Sequence, residues 1–173
     1  DKCYAHNPKN LGGMSLQMRH LRRLMSANSG TESFPQEIIF KTKAHIIILK
    51  NLDPEINEGH QLLIQETIWC LSNICLSNPS RLRNLLDLKI LDLVKQYLTI
   101  SDQVIVESTF WMLANMLSDF PQAKVDIISN GYLDFILDHL DVIKGSNKLS
   151  GIVAWFLSNF FKGRPSVSPK LAR

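Results

Sequence analysis

The sequence predicts an all-α chain built as a short stack of helical repeats. Three observations predict it. A segment in which tryptophan precedes asparagine by four residues occurs three times, at intervals inside the roughly 40–47 residues of known multi-helix repeats. Apolar residues within and between these segments recur with the period of a helix, and no stretch alternates as a strand would. Breaker residues fall at matching places between the copies: Pro35, Pro79 and Pro121 after one helix, and Asn130-Gly131 before another.

Residues 1–14, with Asn7-Pro8 and Gly12-Gly13, read as an irregular N-terminal arm. The repeat array follows over 15–163. Its first stretch, MSLQMRHLRRLMS, has helical spacing. From Ser33, SFPQEIIFKTKAHIIILKNL is a weak copy of the DFPQAKVDIISNGYLDFILDHL that starts at Asp119. The run Ile46-Ile47-Ile48 has high β propensity, but its alignment with Ile90 to Val94 and Leu133 to Leu137 makes it a helix. The stronger copies begin at Glu66 (ETIWCLSNICLSNPSRLRNLL) and Ser108 (STFWMLANMLSDFPQAKVDII), setting Trp69 on Trp111, Asn73 on Asn115 and Pro79 on Pro121. A third, GIVAWFLSNFFKGRP, starts at Gly151. Lys144-Gly145-Ser146 reads as a loop. Residues 164–173, with Pro165, Pro169 and several serines, read as a C-terminal tail. Each unit is a helix, a break, a helix, a linker and a long Trp-bearing helix, and such units bury their cores by stacking on neighbours.

Composition narrows the function classes. With 173 residues, 45% hydrophobic and 20% charged, the chain can bury a substantial core. Its longest aliphatic run, Ala44 to Leu49 broken by His45, is too short for a bilayer, and no basic start leads into an apolar stretch. Neither a membrane nor secretion is expected. Cys3, Cys70 and Cys75 form no CxxC pair, which fits a reducing compartment, with Cys70 and Cys75 as helix packing. The five histidines stand at no metal-ligand spacing, so no metal or other cofactor is expected. A net charge of +3 invites nucleic acid, but the densest basic cluster is only Arg19, Arg22 and Arg23, a solvated helix face. No GxSxG, HExxH, phosphate-binding loop or Cys/His arrangement is present, and an enzyme is not expected.

The remaining signal is the Trp/Asn pairs: Trp69/Asn73, Trp111/Asn115 and Trp155/Asn159. At about 100° per residue with Trp at zero, Asn falls near 40°. Ile64, Leu71, Ile74 and Cys75 spread over roughly 140° to 240°, as do Val106, Leu113, Met116 and Leu117, with Leu157, Phe160 and Phe161 repeating the pattern. Each tryptophan thus points away from its packed stripe, where a bare ring would cost solubility unless something covers it. An indole that only fills space between repeats is the plainer reading, but the adjoining amide is a poor partner for a dry core. On an exposed face it can instead bond the main chain of an extended peptide, while neighbouring indoles form slots for the stems of Lys or Arg. Glu66 (about 60°), Glu107 (about −40°) and Asp119 (about 80°) flank the row and suit a cationic ligand.

TIWCLSNI, TFWMLANM and AWFLSNFFKGRPSVSP resemble the third-helix signatures of the importin α family, adaptors for nuclear localisation signals, over about residues 15 to 165. MSLQMRHLRRLMS is similar to that family's first helix pair. The resemblance implies a right-handed superhelical solenoid of armadillo repeats, about three and a half here. It also implies lysine pockets at Trp69, Trp111 and Trp155, backbone clamps at Asn73, Asn115 and Asn159, and a lysine-binding acid at Asp119. Lys162 matches a basic residue common in the family. The implied partner is a Lys/Arg-rich extended segment, the implied setting cytoplasm and nucleus. The sparse RHLRRL does not match the family's basic importin β-binding segment. Ser77, Leu82 and Ile152 stand where the family has Gly, Thr and Asn, and Lys89 replaces a turn glycine. These departures keep a second reading open: a structural subunit that uses the groove to hold one fixed partner.

Overall fold

The computed structural model describes residues 10–27, 34–75, 78–99 and 101–162. All regular structure among them is helical: α1 (Leu11–Ala27), α2 (Phe34–Lys41), α3 (Ala44–Lys50), α4 (Pro54–Asn57), α5 (Gln61–Cys75), α6 (Pro79–Asp87), α7 (Ile90–Lys95), α8 (Gln103–Asp119), α9 (Lys124–Ser129), α10 (Tyr132–Asp138), α11 (Leu140–Lys144) and α12 (Asn147–Phe161). Single 3₁₀ turns cover Gln96–Thr99 and Pro121–Ala123. The Ile46–Ile48 run is helical within α3, as its alignment requires. None of the described helices is long and apolar enough to cross a membrane. No group of three or more His, Cys, Asp or Glu among the described residues is placed to hold a metal.

Two features of the α1 region differ from expectation. Helix α1 starts at Leu11, so Gly12 and Gly13 lie inside it rather than in an arm. Leu11 is buried, and that anchor outweighs the roughly 1 kcal/mol helix penalty of each glycine. The stretch 14–26 is one continuous helix, not a helix pair. The arm before residue 10 and the tail from 164 lie outside the described residues.

Helix starts follow local chemistry. Asp53 Oδ1 accepts from the Glu55 N–H at 2.9 Å, and Asn78 Oδ1 from the Arg81 N–H at 3.0 Å, each with proline at the first helical position. Asp102 and Ser146 cap the long helices α8 and α12 in the same way. The turn entering α3, α7 and α10 is made by one left-handed residue each time: Lys43 (φ 60°), Lys89 (φ 62°) and Gly131 (φ 69°). Only the third is the residue type that adopts this conformation without cost.

The chain divides into two compact units, one up to Ile74 and one from Cys75 on. The first packs Met25, Leu52, Leu63, Ile64, Ile68 and Leu71, all 2% exposed or less. In the second, Phe110 meets Phe156 edge-on at 5.7 Å and Phe135 at 6.2 Å, and the buried Tyr132 hydroxyl donates to the Leu91 carbonyl at 2.7 Å. The projected stripes of α5 and α8 are buried, whereas on α12 Phe160 is buried, Leu157 is half-buried and Phe161 is not. Phe161 is 68% exposed; it lies at the stripe's edge on the last residue of α12 and meets Phe160 edge-on at 5.3 Å.

Candidate peptide-binding face

Trp69, on α5, and Trp111, on α8, are 41% and 47% exposed, while the residues opposite them are buried. The helical projection therefore holds for both. Trp155, on α12, is half-buried. What surrounds these rings differs from a row of open slots.

In the first unit, α1 runs beside α5 and occupies the row with its own side chains. The Arg22 guanidinium carbon lies 4.0 Å from the centroid of the Trp69 ring, a cation–π contact. Arg22 Nε and Arg19 Nε each donate to a Glu66 carboxylate oxygen at 2.7 Å. Glu66 is only 5% exposed. Burial alone would raise its carboxyl, but the hydrogen bonds from Arg22 and Arg19 outweigh that and hold it below the ordinary carboxylate range. Asn73 Nδ2 donates to Ser26 Oγ at 3.1 Å. Glu66 thus serves the chain's own arginines rather than standing open to a ligand, and Asn73 spends one donor on α1. Arg19 to Glu66 and Ser26 to Asn73 share one separation, 47 residues, so α1 and α5 run side by side in the same direction.

In the second unit, the Trp111 and Trp155 ring centroids are 4.7 Å apart at an interplanar angle of 50°. The rings touch, so the expected slot between them is absent: a methylene chain held between two rings needs a gap of about 7–8 Å. The tilted pair forms one aromatic platform. Asn115 and Asn159 are each 9% exposed, and Asn159 Nδ2 donates to the Ala114 carbonyl of α8 at 3.1 Å. That amide spends one of its two donors tying α12 to α8. The second acid, Glu107, is 5% exposed; Gln103 Nε2 donates to its Oε1 at 2.9 Å and the Lys148 ammonium lies 2.5 Å from its Oε2. Glu107 is therefore held by Lys148, whose own side chain is largely exposed. Asp119 ends α8, but its side chain, like Ser77, lies outside the described residues.

Cys70 and Cys75 are both buried, and burial pushes the Cys70 thiol well up, which suits an apolar role and not a nucleophile. A depression of about 340 Å³ on the second unit, lined by Leu98, Gln103, Phe135, His139 and Val142 among others, lies off the tryptophan row.

The sequence matches no protein-family model, and no curated protein matches it either.

Proposed function

We propose that this chain is an importin-α-like armadillo module whose α8/α12 face, carrying Trp111, Asn115, Trp155 and Asn159, binds an extended basic peptide of the nuclear-localisation type. The observation that carries this reading is the Trp111 ring, 47% exposed and in contact with Trp155. A large indole left bare on a helix whose opposite side is fully packed is a recognition surface in need of a cover. The resemblance of the three Trp/Asn segments to importin α supplies the class of ligand and, with it, a role in nuclear import between cytoplasm and nucleus. The test is a titration of a Lys/Arg-rich peptide against the chain with tryptophan fluorescence as readout. Quenching that saturates, with affinity at least tenfold weaker in Trp111→Ala, is expected. Absence of quenching in the parent chain would sink the proposal.

One set of contacts favours a second reading, a scaffold subunit without transport activity. Glu66, Trp69 and Asn73 all engage α1, as a surface kept for architecture would. In that case Trp111 is covered by a fixed protein partner in the native assembly, and acrylamide quenches it only after the assembly is dissociated.

A further inference from the structure

Within the reading of the α8/α12 face as a peptide groove, on which this inference rests, the ligand's basic residue is a matter of geometry. We propose that the Trp111/Trp155 pair reads arginine and discriminates against lysine at that position.

Three observations carry this. First, the two rings stand 4.7 Å apart and tilted by 50°, leaving no channel for a lysine stem to thread between them. What the pair offers is an outward ring face, and a planar, weakly hydrated guanidinium stacks on such a face, whereas a compact ammonium gives up strong hydration to do so. Second, the chain contains the contact it would make with a ligand: Arg22 lies over Trp69 at 4.0 Å, with Trp69 still 41% exposed, so guanidinium on half-exposed indole is stable in this framework. Third, Glu107, one of the acids that flank the row, is buried and paired with Lys148 at 2.5 Å. A lysine ligand would have to displace a covalently tethered ammonium to reach that carboxylate; an arginine gains from the rings without needing it.

The arrangement also explains how a row resembling lysine pockets would read the other basic residue. Closing the gap between adjacent indoles converts a slot, which measures the width of an alkyl stem, into a plate, which measures planarity. Lys148, at about 20° on the projection of α12, stands on the same side as Trp155. Its charge is balanced by Glu107, so this pair leaves a ligand ammonium no free carboxylate to reach.

The experiment uses two extended peptides of identical length and spacing, one with arginine and one with lysine at every basic position, titrated against the full chain by fluorescence and by calorimetry. The expected result is tighter binding of the arginine peptide by about fivefold or more. That ratio should fall to near one in Trp111→Ala, and equally in Trp111→Leu, which keeps apolar bulk without a ring face, while Trp69→Ala leaves it unchanged. Lys148→Ala, by releasing Glu107, should improve lysine-peptide binding and narrow the ratio. Equal binding, tighter binding of the lysine peptide, or a ratio that survives both Trp111 variants overturns the arginine assignment while the peptide groove stands. Binding of neither peptide overturns the groove itself, and the assignment with it.

Discussion

Glu66 shows how far a single side chain can depart from its projected role. Its angle near 60° beside Trp69 suggested a ligand-facing acid, yet two arginines reach it at 2.7 Å each from a helix that lies far back in sequence. Because its folded-state pKa is depressed, its contribution to stability is fully present above the ordinary carboxylate value near 4.5 and is lost as pH falls through the lower folded value. Acid unfolding followed by circular dichroism should therefore show a transition below pH about 4.5 that weakens in Glu66→Gln. At neutral pH that variant should cost about 1–2 kcal/mol, since it leaves Arg22 with a weaker acceptor. Arg22→Ala tests the same cluster from the other side. With the guanidinium gone, Trp69 emission should shift to the red and its acrylamide quenching should rise. An unchanged spectrum would mean that the stacking contact is not populated in solution.

At the scale of elements, the turns and helix ends are where substitutions should read most clearly. Lys89 takes φ 62° at the position where Gly131 serves the following repeat. Lys89→Gly should raise stability by up to about 1 kcal/mol in urea unfolding, because the left-handed strain of a side-chain-bearing residue outweighs the extra freedom glycine has in the unfolded chain. The same change at an ordinary helical position, for example Ser80 in α6, should destabilise. Lys124 is an instructive buried lysine: 1% exposed, it opens α9 and its ammonium donates to the Lys162 carbonyl at the end of α12, where the helix dipole is negative. Lys124→Met keeps the stem and removes the donor, and should cost about 1–3 kcal/mol. Calorimetric melting would measure it, and a neutral result would show that the carbonyl finds water instead.

At the scale of the whole molecule, the packing of each unit sets what unfolds together. Phe110, Phe135 and Phe156 bring α8, α10 and α12 into one aromatic cluster. Phe156→Ala should cost about 3–5 kcal/mol and lower hydrogen-exchange protection through those three helices, while α1 and α3, whose contacts belong to the other unit, keep theirs. Uniform loss across the chain would show that the two units unfold as one.

Much of the architecture was legible in the residues themselves. Helical period, proline and Asx positions and the repeated Trp/Asn spacing are local properties, and they suffice to place α5, α8 and α12 and to put Trp69 and Trp111 opposite the packed sides of theirs; on α12 the projection fails in part, with Trp155 half-buried and Phe161 exposed. The helical identity of α3 also follows, because comparison between copies overrode its β-prone isoleucines. The start of α1 did not, since two glycines mimic a linker and only the burial of Leu11 shows that they are inside a helix. Nor did the state of the tryptophan row. Whether neighbouring indoles stand apart or touch, whether Asn159 faces outward or bonds Ala114, and whether Glu66 and Glu107 await a ligand or are already paired depend on distances of a few ångströms between helices some forty residues apart. A sequence determines which side of a helix a residue occupies through the 100° step of the backbone. How closely two such sides approach is decided by the side chains packed between them, and that exists only once the chain has folded.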